Sequence, residues 1–375
     1  MANNCTLLVN GSVYGGWTSI SIQRGIEQLA GSFSLRVTER WPGVVESRPI
    51  QKGDIAVVKI DDVAVCTGYV NRTRIGFDSG STWFDVEGRD KTADLVDCSA
   101  IWKSGQWRSS SVKQIATDLC HPFGIAVVIG KLAEKAAAEK IASFSLEDGE
   151  TVQDTLERLL RMKALMMWTD GNGNLVINLP EQTAAETALV QGENMLQAEA
   201  AADETEQFSQ YTVKGQARGV HNAKGEAKDG GVKRYRPLVI LAEDHGTTPQ
   251  KRAKHEQTMR EGKADTASVT VQSWRQAGDN GGLWLPGLRV LVKAPYLHKD
   301  NDEMIISDLE YRKDDGGTIT RLNLTNPKAY DRLSEQPPKK KTPAKKKKAS
   351  TKTTAKKTAR KRKDTTKYTV WESPI

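Results

Sequence analysis

Apolar and polar residues alternate through most of the first ninety positions, and the alternation predicts β-structure. Thr6-Leu7-Leu8-Val9 runs into Asn10-Gly11, a two-residue hairpin signal, because both turn positions must accept positive φ. Trp17 to Gln23 sets Trp17, Ser19 and Ser21 against Thr18, Ile20 and Ile22, one face polar and one apolar. Ser32 to Thr38 repeats the pattern with Phe33, Leu35 and Val37 inward. Ile55 to Ile60, Val63 to Arg74 and Trp83 to Glu87 follow, separated by Asp61-Asp62 and Asp78-Ser79-Gly80-Ser81 turns. The expectation is a small antiparallel barrel or sandwich.

From about residue 90 the period lengthens. Ser111 caps a helix over Val112 to Cys120, with Val112, Ile115, Ala116 and Leu119 on one face. Lys131 to Lys140 reads as helix, and so does Thr151 to Lys163, with Val152, Leu156, Leu159 and Leu160 buried. Ala164 to Thr169 and Leu175 to Leu179 are strands around an Asp170-Gly171-Asn172-Gly173-Asn174 turn. Strands return at Phe208 to Gln216, Ala267 to Trp274, Leu288 to Lys293, Glu303 to Arg312 and Thr318 to Thr325. Gly219 to Gly231 reads as a mobile loop, and a helix capped by Thr247 or Thr248 runs to about Gly262 with Pro249 in its first turn. The fold class is α+β, mainly antiparallel β, in the order β, α+β, β, with folded structure ending near Asp331.

Charge divides the chain in two. The total is +8, but residues 339–375 carry 15 Lys and Arg against two acids, a net +13, which leaves −5 for residues 1–338. The basic total therefore does not make the folded body a nucleic-acid binder. The tail cations are Lys339, Lys340, Lys341, Lys345, Lys346, Lys347, Lys348, Lys352, Lys356, Lys357, Arg360, Lys361, Arg362 and Lys363, set among Thr, Ser, Ala and Pro. Such a segment cannot bury apolar area and is expected to be disordered. It suits polyanion binding, docking on an acidic protein surface such as a neighbouring subunit, or solubilisation alone. Tyr368-Thr369-Val370-Trp371 restores an apolar, β-prone end suited to strand addition. Residues 164–213 carry no Lys or Arg and eight acids, including Glu193, Glu199, Asp203, Glu204 and Glu206. These five are candidates for a lumen or an interface; a solvated acidic face is the alternative.

Signals for chemistry are weak. His255-Glu256 opens a zinc-helix motif, but Met259 occupies the second ligand position. Cys5, Cys66, Cys98 and Cys120 form no CxxC, so free, mostly buried thiols are expected. No phosphate-binding glycine motif or nucleophile elbow is present, and paired carboxylates such as Asp314-Asp315 fall at turns. Trp17, Trp83, Trp274 and Trp284 suit core or subunit-interface anchoring. No catalytic, cofactor-binding or metal residue emerges, and no window is apolar over the roughly 20 residues that cross a bilayer.

Several segments together resemble one family: Gly16-Trp17-Thr18-Ser19, Ala30 to Leu35, Cys66 to Val70, Val86-Glu87-Gly88-Arg89-Asp90-Lys91-Thr92-Ala93-Asp94-Leu95, Ser104 to Trp107, Ser209 to Gly215 and Leu283-Trp284-Leu285-Pro286. Over about residues 5–330 the chain is similar to the baseplate hub protein of Mu-like contractile-tailed phages, a relative of the hub portion of type VI secretion spike proteins. The resemblance implies a homotrimeric ring with two tail-tube-like barrels per subunit. Six barrels would meet the hexameric tail tube protein, and the threefold axis would meet the central spike protein. The expected domains are 1–90, a first barrel; 91–180, an α+β unit; 181–331, a second barrel with a helical insertion; and 332–375, the disordered basic tail, which lies outside the resemblance. The acidic body also fits a conduit for genomic DNA in transit, and neither a small-molecule substrate nor stable membrane insertion is expected. The setting would be the virion tail baseplate, after assembly in host cytoplasm. The other function class is a nucleic-acid-binding protein that uses its Lys-rich arm.

Overall fold

The computed structural model describes residues 3–38, 50–180, 183–217, 220–241, 248–278 and 281–330. The first strands are β1 (Cys5–Val9), β2 (Ser12–Tyr14), β3 (Ser19–Gly25), β4 (Ser32–Thr38), β5 (Ile55–Ile60), β6 (Val63–Phe77) and β7 (Thr82–Asp90). Asn10 and Gly11 hold φ of 50° and 81°, as the hairpin between β1 and β2 requires. The α+β unit follows with α1 (Ala93–Asp97), β8 (Gln106–Ser111), α2 (Val112–Cys120), β9 (Val127–Ile129), α3 (Glu134–Ala138), β10 (Lys140–Ser145), α4 (Val152–Arg161), β11 (Met166–Thr169) and β12 (Leu175–Asn178). The Ser111 hydroxyl accepts the Gln114 N–H at the start of α2. Thr151 and Asp154 form a reciprocal capping box at the start of α4. The remaining elements are β13 (Leu189–Val190), β14 (Met195–Ala202), β15 (Gln210–Ala217), β16 (Val220–Lys228), β17 (Pro237–Leu241), α5 (Pro249–Lys263), β18 (Asp265–Gln272), β19 (Arg289–Ala294), β20 (Lys299–Asp314) and β21 (Gly317–Thr325).

Thirteen strands form one large sheet, in the order β14-β18-β21-β20-β3-β4-β7-β6-β5-β1-β2, with β19 and β13 branching from β20. Its N-terminal and C-terminal halves meet where β20 pairs β3 antiparallel, Glu310 opposite Gln23 and Tyr311 opposite Ile22. This differs from two separate closed barrels. Among the described residues the path is open at β2 and β14, and no closed barrel forms. One core lies under both halves and unites Leu7, Ile22, Leu35, Val58 and Val86 with Val269, Trp274, Trp284, Val290 and Leu322. Each such side chain contributes roughly 1.5–3 kcal/mol by leaving water. The α+β unit has its own core, built on Ile115, Leu119, Leu156, Leu159 and Ile177.

Two expectations need correction. The helix over 131–140 shortens to α3, and Lys140 instead opens β10. There, pairing with β8 buries Ile141 and Phe144 beside Trp107. The segment 219–231, read as a mobile loop, is largely strand β16, paired along β15. Its glycine and alanines are a fit to a helix: a Cβ on Gly225 would lie 2.2 Å from the Pro249 carbonyl carbon. With Tyr211, Val213 and Ala253 this small sheet, in the order β16-β15-β17, forms a separate core under α5.

Candidate assembly surface

Strand register builds a continuous polar face on the side of the large sheet away from its core. One row crosses eight strands: Gln197, Thr270, Arg321, Glu310, Gln23, Ser32, Arg89 and Tyr69 stand in successive register from β14 to β6. A second row holds Glu199, Ser268, Asn323 and Asp308. A third holds Arg312, Ser21, Ser34, Glu87 and Arg72. The intervening residues, among them Ile22, Leu35, Val86, Val269 and Leu322, point into the core. Alternation, interrupted by register shifts at Met195/Gln197, Ile306/Asp308 and Val70/Arg72, thus gives both halves one shared polar wall.

Side chains on this wall are coupled across strands. Arg36 holds Asp85 at 2.6 Å and 3.0 Å through two parallel hydrogen bonds. Arg74 pairs with Glu87 and lies 3.8 Å from Asp85, and Arg72 lies 3.8 Å from Glu87. Ser21 donates to Glu310 at 2.6 Å, Asn323 to Asp308 at 2.6 Å and Arg321 to Ser268 at 3.2 Å. Arg89 pairs with Asp97, and Arg312 with Asp314. Five of these six arginines therefore face a carboxylate, and Arg321 faces the Ser268 hydroxyl.

Behind the wall sits a buried carboxylate. Asp90 accepts the Gly31 N–H and the Thr67 N–H, each at 2.9 Å, and so ties β7 to the chain before β4 and to β6. Burial pushes the Asp90 carboxyl above the usual aspartate range, against the opposing pull of its hydrogen bonds from Cys66 and Thr67. Gly88 has no room for a side chain: a Cβ would lie 2.3 Å from the Tyr69 carbonyl oxygen. The Gly88-Arg89-Asp90 motif is thereby accounted for by packing and strand locking. In the C-terminal half Trp274 and Tyr311 meet edge to face at 6.1 Å. The Tyr311 hydroxyl donates to the Trp284 carbonyl, and burial pushes it up to about 12.

The acidic candidates separate. Glu199 stands on the polar face, beside a shallow cleft shared with Asp308, Asn323 and Thr266. Glu193 lies in the turn before β14. Asp203 caps its own turn, accepting the Thr205 N–H at 2.7 Å; hydrogen bonds from Thr205 hold it below the usual range. Glu204 and Glu206 leave the sheet and pair with Arg234 at 3.0 Å and Arg260 at 2.7 Å. The structure does not gather these five into one site. Lys339, Lys340, Lys341, Lys345, Lys346, Lys347, Lys348, Lys352, Lys356, Lys357, Arg360, Lys361, Arg362 and Lys363 lie outside the described residues, as do Glu181 and the apolar C-terminus. Sequence reasoning missed Arg36, Arg74, Asp85, Glu87 and Glu310 as parts of a surface. Their signal was the polar half of the alternation, read only for its apolar half.

Of the predicted tryptophan anchors, Trp17, Trp274 and Trp284 are buried in the shared core. Cys5, Cys66 and Cys120 are buried free thiols, and Cys98 is an exposed one. Among the described residues no three His, Cys, Asp or Glu side chains gather as metal ligands, and no described helix is long and apolar enough to cross a membrane. A cavity of about 600 Å³ opens beside α4, β11 and α5, but its Arg252, Glu256 and Arg260 are paired with one another.

Comparison with known proteins bears on the whole body. Residues 4–90 match the family model for the N-terminal domain of GpP-like Mu phage baseplate assembly proteins. Residues 92–179 match that for the second domain of gp44-like baseplate hub proteins, and 246–333 that for the fourth domain of GpP. The chain is 35% identical to the baseplate hub protein gp44 of Escherichia phage Mu over 339 residues, covering 86% of this chain and 88% of that one. It is similar to the 43 kDa tail protein of prophage MuSo2 from Shewanella oneidensis, with 33% identity and a TM-score of 0.77, covering 88% of this chain and 99% of the other. An E. coli type VI secretion component shares the fold alone, at 12% identity and a TM-score of 0.54, covering 87% of this chain and 78% of the other. A sequence match spanning most of both chains, over one sheet built from its N-terminal and C-terminal ends, leads to one conclusion: this chain belongs to the Mu-type phage baseplate hub protein family.

Proposed function

We propose that the chain is the structural hub of a contractile tail, assembled as a homotrimeric ring that joins the sixfold tail tube to the threefold central spike. The observation that carries this reading is the polar wall, which passes unbroken from one half of the large sheet to the other through the β3–β20 pairing. Two halves presenting one wall are suited to act as two equivalent tube segments, and three copies then offer six. On this reading residues 1–90 and 181–331 supply the two tube-like halves of the shared sheet, 91–180 the α+β unit and 332–375 the basic tail. Wall closure requires neighbouring copies to cover the open ends of the sheet.

The wall would line a conduit for DNA. Tight phosphate binding needs cations free to replace counterions. Here Arg36, Arg72, Arg74, Arg89 and Arg312 each face a carboxylate, which suits passage rather than retention. The role is assembly and not catalysis, in the virion tail, with tube and spike proteins as partners. Native mass measurement of the chain truncated after Pro338 tests the ring without its tail. Three copies are expected; a monomer that binds DNA tightly through residues 1–338 would contradict the hub reading and favour a nucleic-acid-binding protein.

A further inference from the structure

Resting on the ring reading above, we infer that copies join head to tail by strand pairing. The outer part of β6 in one copy runs antiparallel to β14 of the next, in a register set by the junction inside the chain. The two halves of the large sheet repeat one layout. In chain order β3, β4, β5, β6 and β7 pair first to second, second to fifth, fifth to fourth and fourth to third, and β14, β18, β19, β20 and β21 do the same, all antiparallel. Register shifts recur at matching places: Val58/Lys59 with Val292/Lys293, and Val70/Arg72 with Ile306/Asp308. Beyond its shift, β20 takes β3 as a further partner over Asp308 to Lys313. Beyond its own shift, β6 has only β7 beside it among the described residues, because pairing with β5 stops at Tyr69. β14, the counterpart of β3, pairs β18 alone among the described residues. Two edges that meet inside the chain at β20 and β3 thus recur, open, at β6 and β14, and open edges are templates for further pairing.

The repeat sets the register. Counted from the shifts, Arg72 to Phe77 correspond to Asp308 to Lys313. Through β4 and β18, Ser19 to Gln23 correspond to Gln197 to Ala201. Inside the chain Glu310 stands opposite Gln23 and Tyr311 opposite Ile22. Between copies Arg74 therefore comes opposite Ala201, Ile75 opposite Ala200, Gly76 opposite Glu199 and Phe77 opposite Ala198. Burial separates the filled junction from the open one. Tyr311 and Ile22 are fully buried, whereas Ile75 is 60% exposed and Phe77 81%. Ala198 and Ala200 lie against the core, and their small side chains leave room for these two larger ones across the pair. On the polar side Arg74 falls diagonally between exposed Glu199 and Asp203, on a stretch, residues 195–203, without Lys or Arg. Apolar and charged rows are complementary in the same register, and the polar wall continues from copy to copy. A contact between two different edges is heterologous, and repeated around an axis it closes a ring.

Cysteine pairs test the register in the full chain, with Cys98→Ser removing the exposed native thiol. One variant carries Arg74→Cys and Ala201→Cys, and a second Ile75→Cys and Ala200→Cys. Successive antiparallel pairs alternate between narrow and wide spacing, so one of the two falls within disulfide reach. An offset control carries Arg74→Cys and Gln197→Cys. Within one copy β6 and β14 stand at the two ends of an eight-strand path, roughly 30 Å apart, so a link joins two copies. Oxidation is carried out where the wild-type chain assembles and is read by nonreducing electrophoresis. At least one register pair is expected to give two-chain and three-chain bands about tenfold faster than the offset control. A separate variant, Ile75→Asp with Phe77→Asp, is expected to keep its circular dichroism and to raise the assembly midpoint in sedimentation about tenfold or more. An assembling wild type whose register pairs link no faster than the control, or whose Asp variant assembles unchanged, overturns the pairing and leaves the ring reading intact. A wild-type chain that stays monomeric at every concentration overturns both.

Discussion

In the N-terminal half of the large sheet a carboxylate ties neighbouring segments together, whereas in the C-terminal half two buried aromatic rings anchor the shared core. Asp90 accepts backbone N–H groups from Gly31 and Thr67. Trp274 and Tyr311 pack edge to face, and the Tyr311 hydroxyl reaches the Trp284 carbonyl. The Arg24 side chain, buried on β3 at the junction, acts electrostatically on both Asp90 and Tyr311. The two halves of one sheet are thus held by different chemistry: one lock is a buried carboxyl, and the other depends on apolar area and on hydrogen bonds from Tyr311 to the Trp284 carbonyl and from Trp274 to the Arg312 carbonyl. The two halves should therefore respond differently to truncation, to pH and to salt.

Removing the aromatic lock should have the largest effect. Trp274→Ala leaves a cavity at a fully buried site and is expected to cost about 3–5 kcal/mol in urea unfolding. A loss under about 1 kcal/mol would break the claim that apolar area holds the C-terminal half. Asp90→Asn comes next, at about 1–3 kcal/mol, because an amide can accept only one of the two buried N–H groups without presenting a donor to the other. Its signature is pH. Burial raises the Asp90 pKa in the folded protein, so the native state holds that proton more tightly than the unfolded chain does. The associated stability is fully present below the unfolded value of about 4 and is lost as pH rises through the folded value. The advantage of wild type over Asp90→Asn should shrink as pH rises above about 4, while the Trp274→Ala loss relative to wild type should not follow that titration. The smallest effect belongs to the wall itself. Arg74 is more than half exposed, so Arg74→Ala should cost no more than about 0.5–1 kcal/mol and less at high salt.

The alternation of Trp17 to Gln23 and Ser32 to Thr38 was enough to find β3 and β4, since each carries the pattern within a few residues. The Ser111 cap likewise placed α2 closely, and the spacing of Val152, Leu156, Leu159 and Leu160 placed α4. β14 was missed because Met195-Leu196-Gln197-Ala198-Glu199-Ala200-Ala201-Ala202 is rich in helix formers, and only pairing with β18 makes it a strand. β16 was missed because its small residues are shaped by α5, 24 positions further along. The surface was less legible than the fold. Glu199 was named as a candidate for its charge, but its neighbours Ser268, Asn323 and Asp308 come from strands some 70 to 125 residues away, brought beside it by register. A run of acids could not separate Glu199 from Glu204 and Glu206, whose partners Arg234 and Arg260 lie on other elements.

The central claim is that the polar wall shared by the two halves faces the lumen of a hub ring. Imaging of assembled tail particles at side-chain detail tests it most directly. The account predicts three copies around the axis, with Gln197, Thr270, Arg321, Glu310, Gln23, Ser32 and Arg89 lining the channel. A ring in which this row faces outward, or a particle in which the chain occurs as a single copy off the axis, would contradict it.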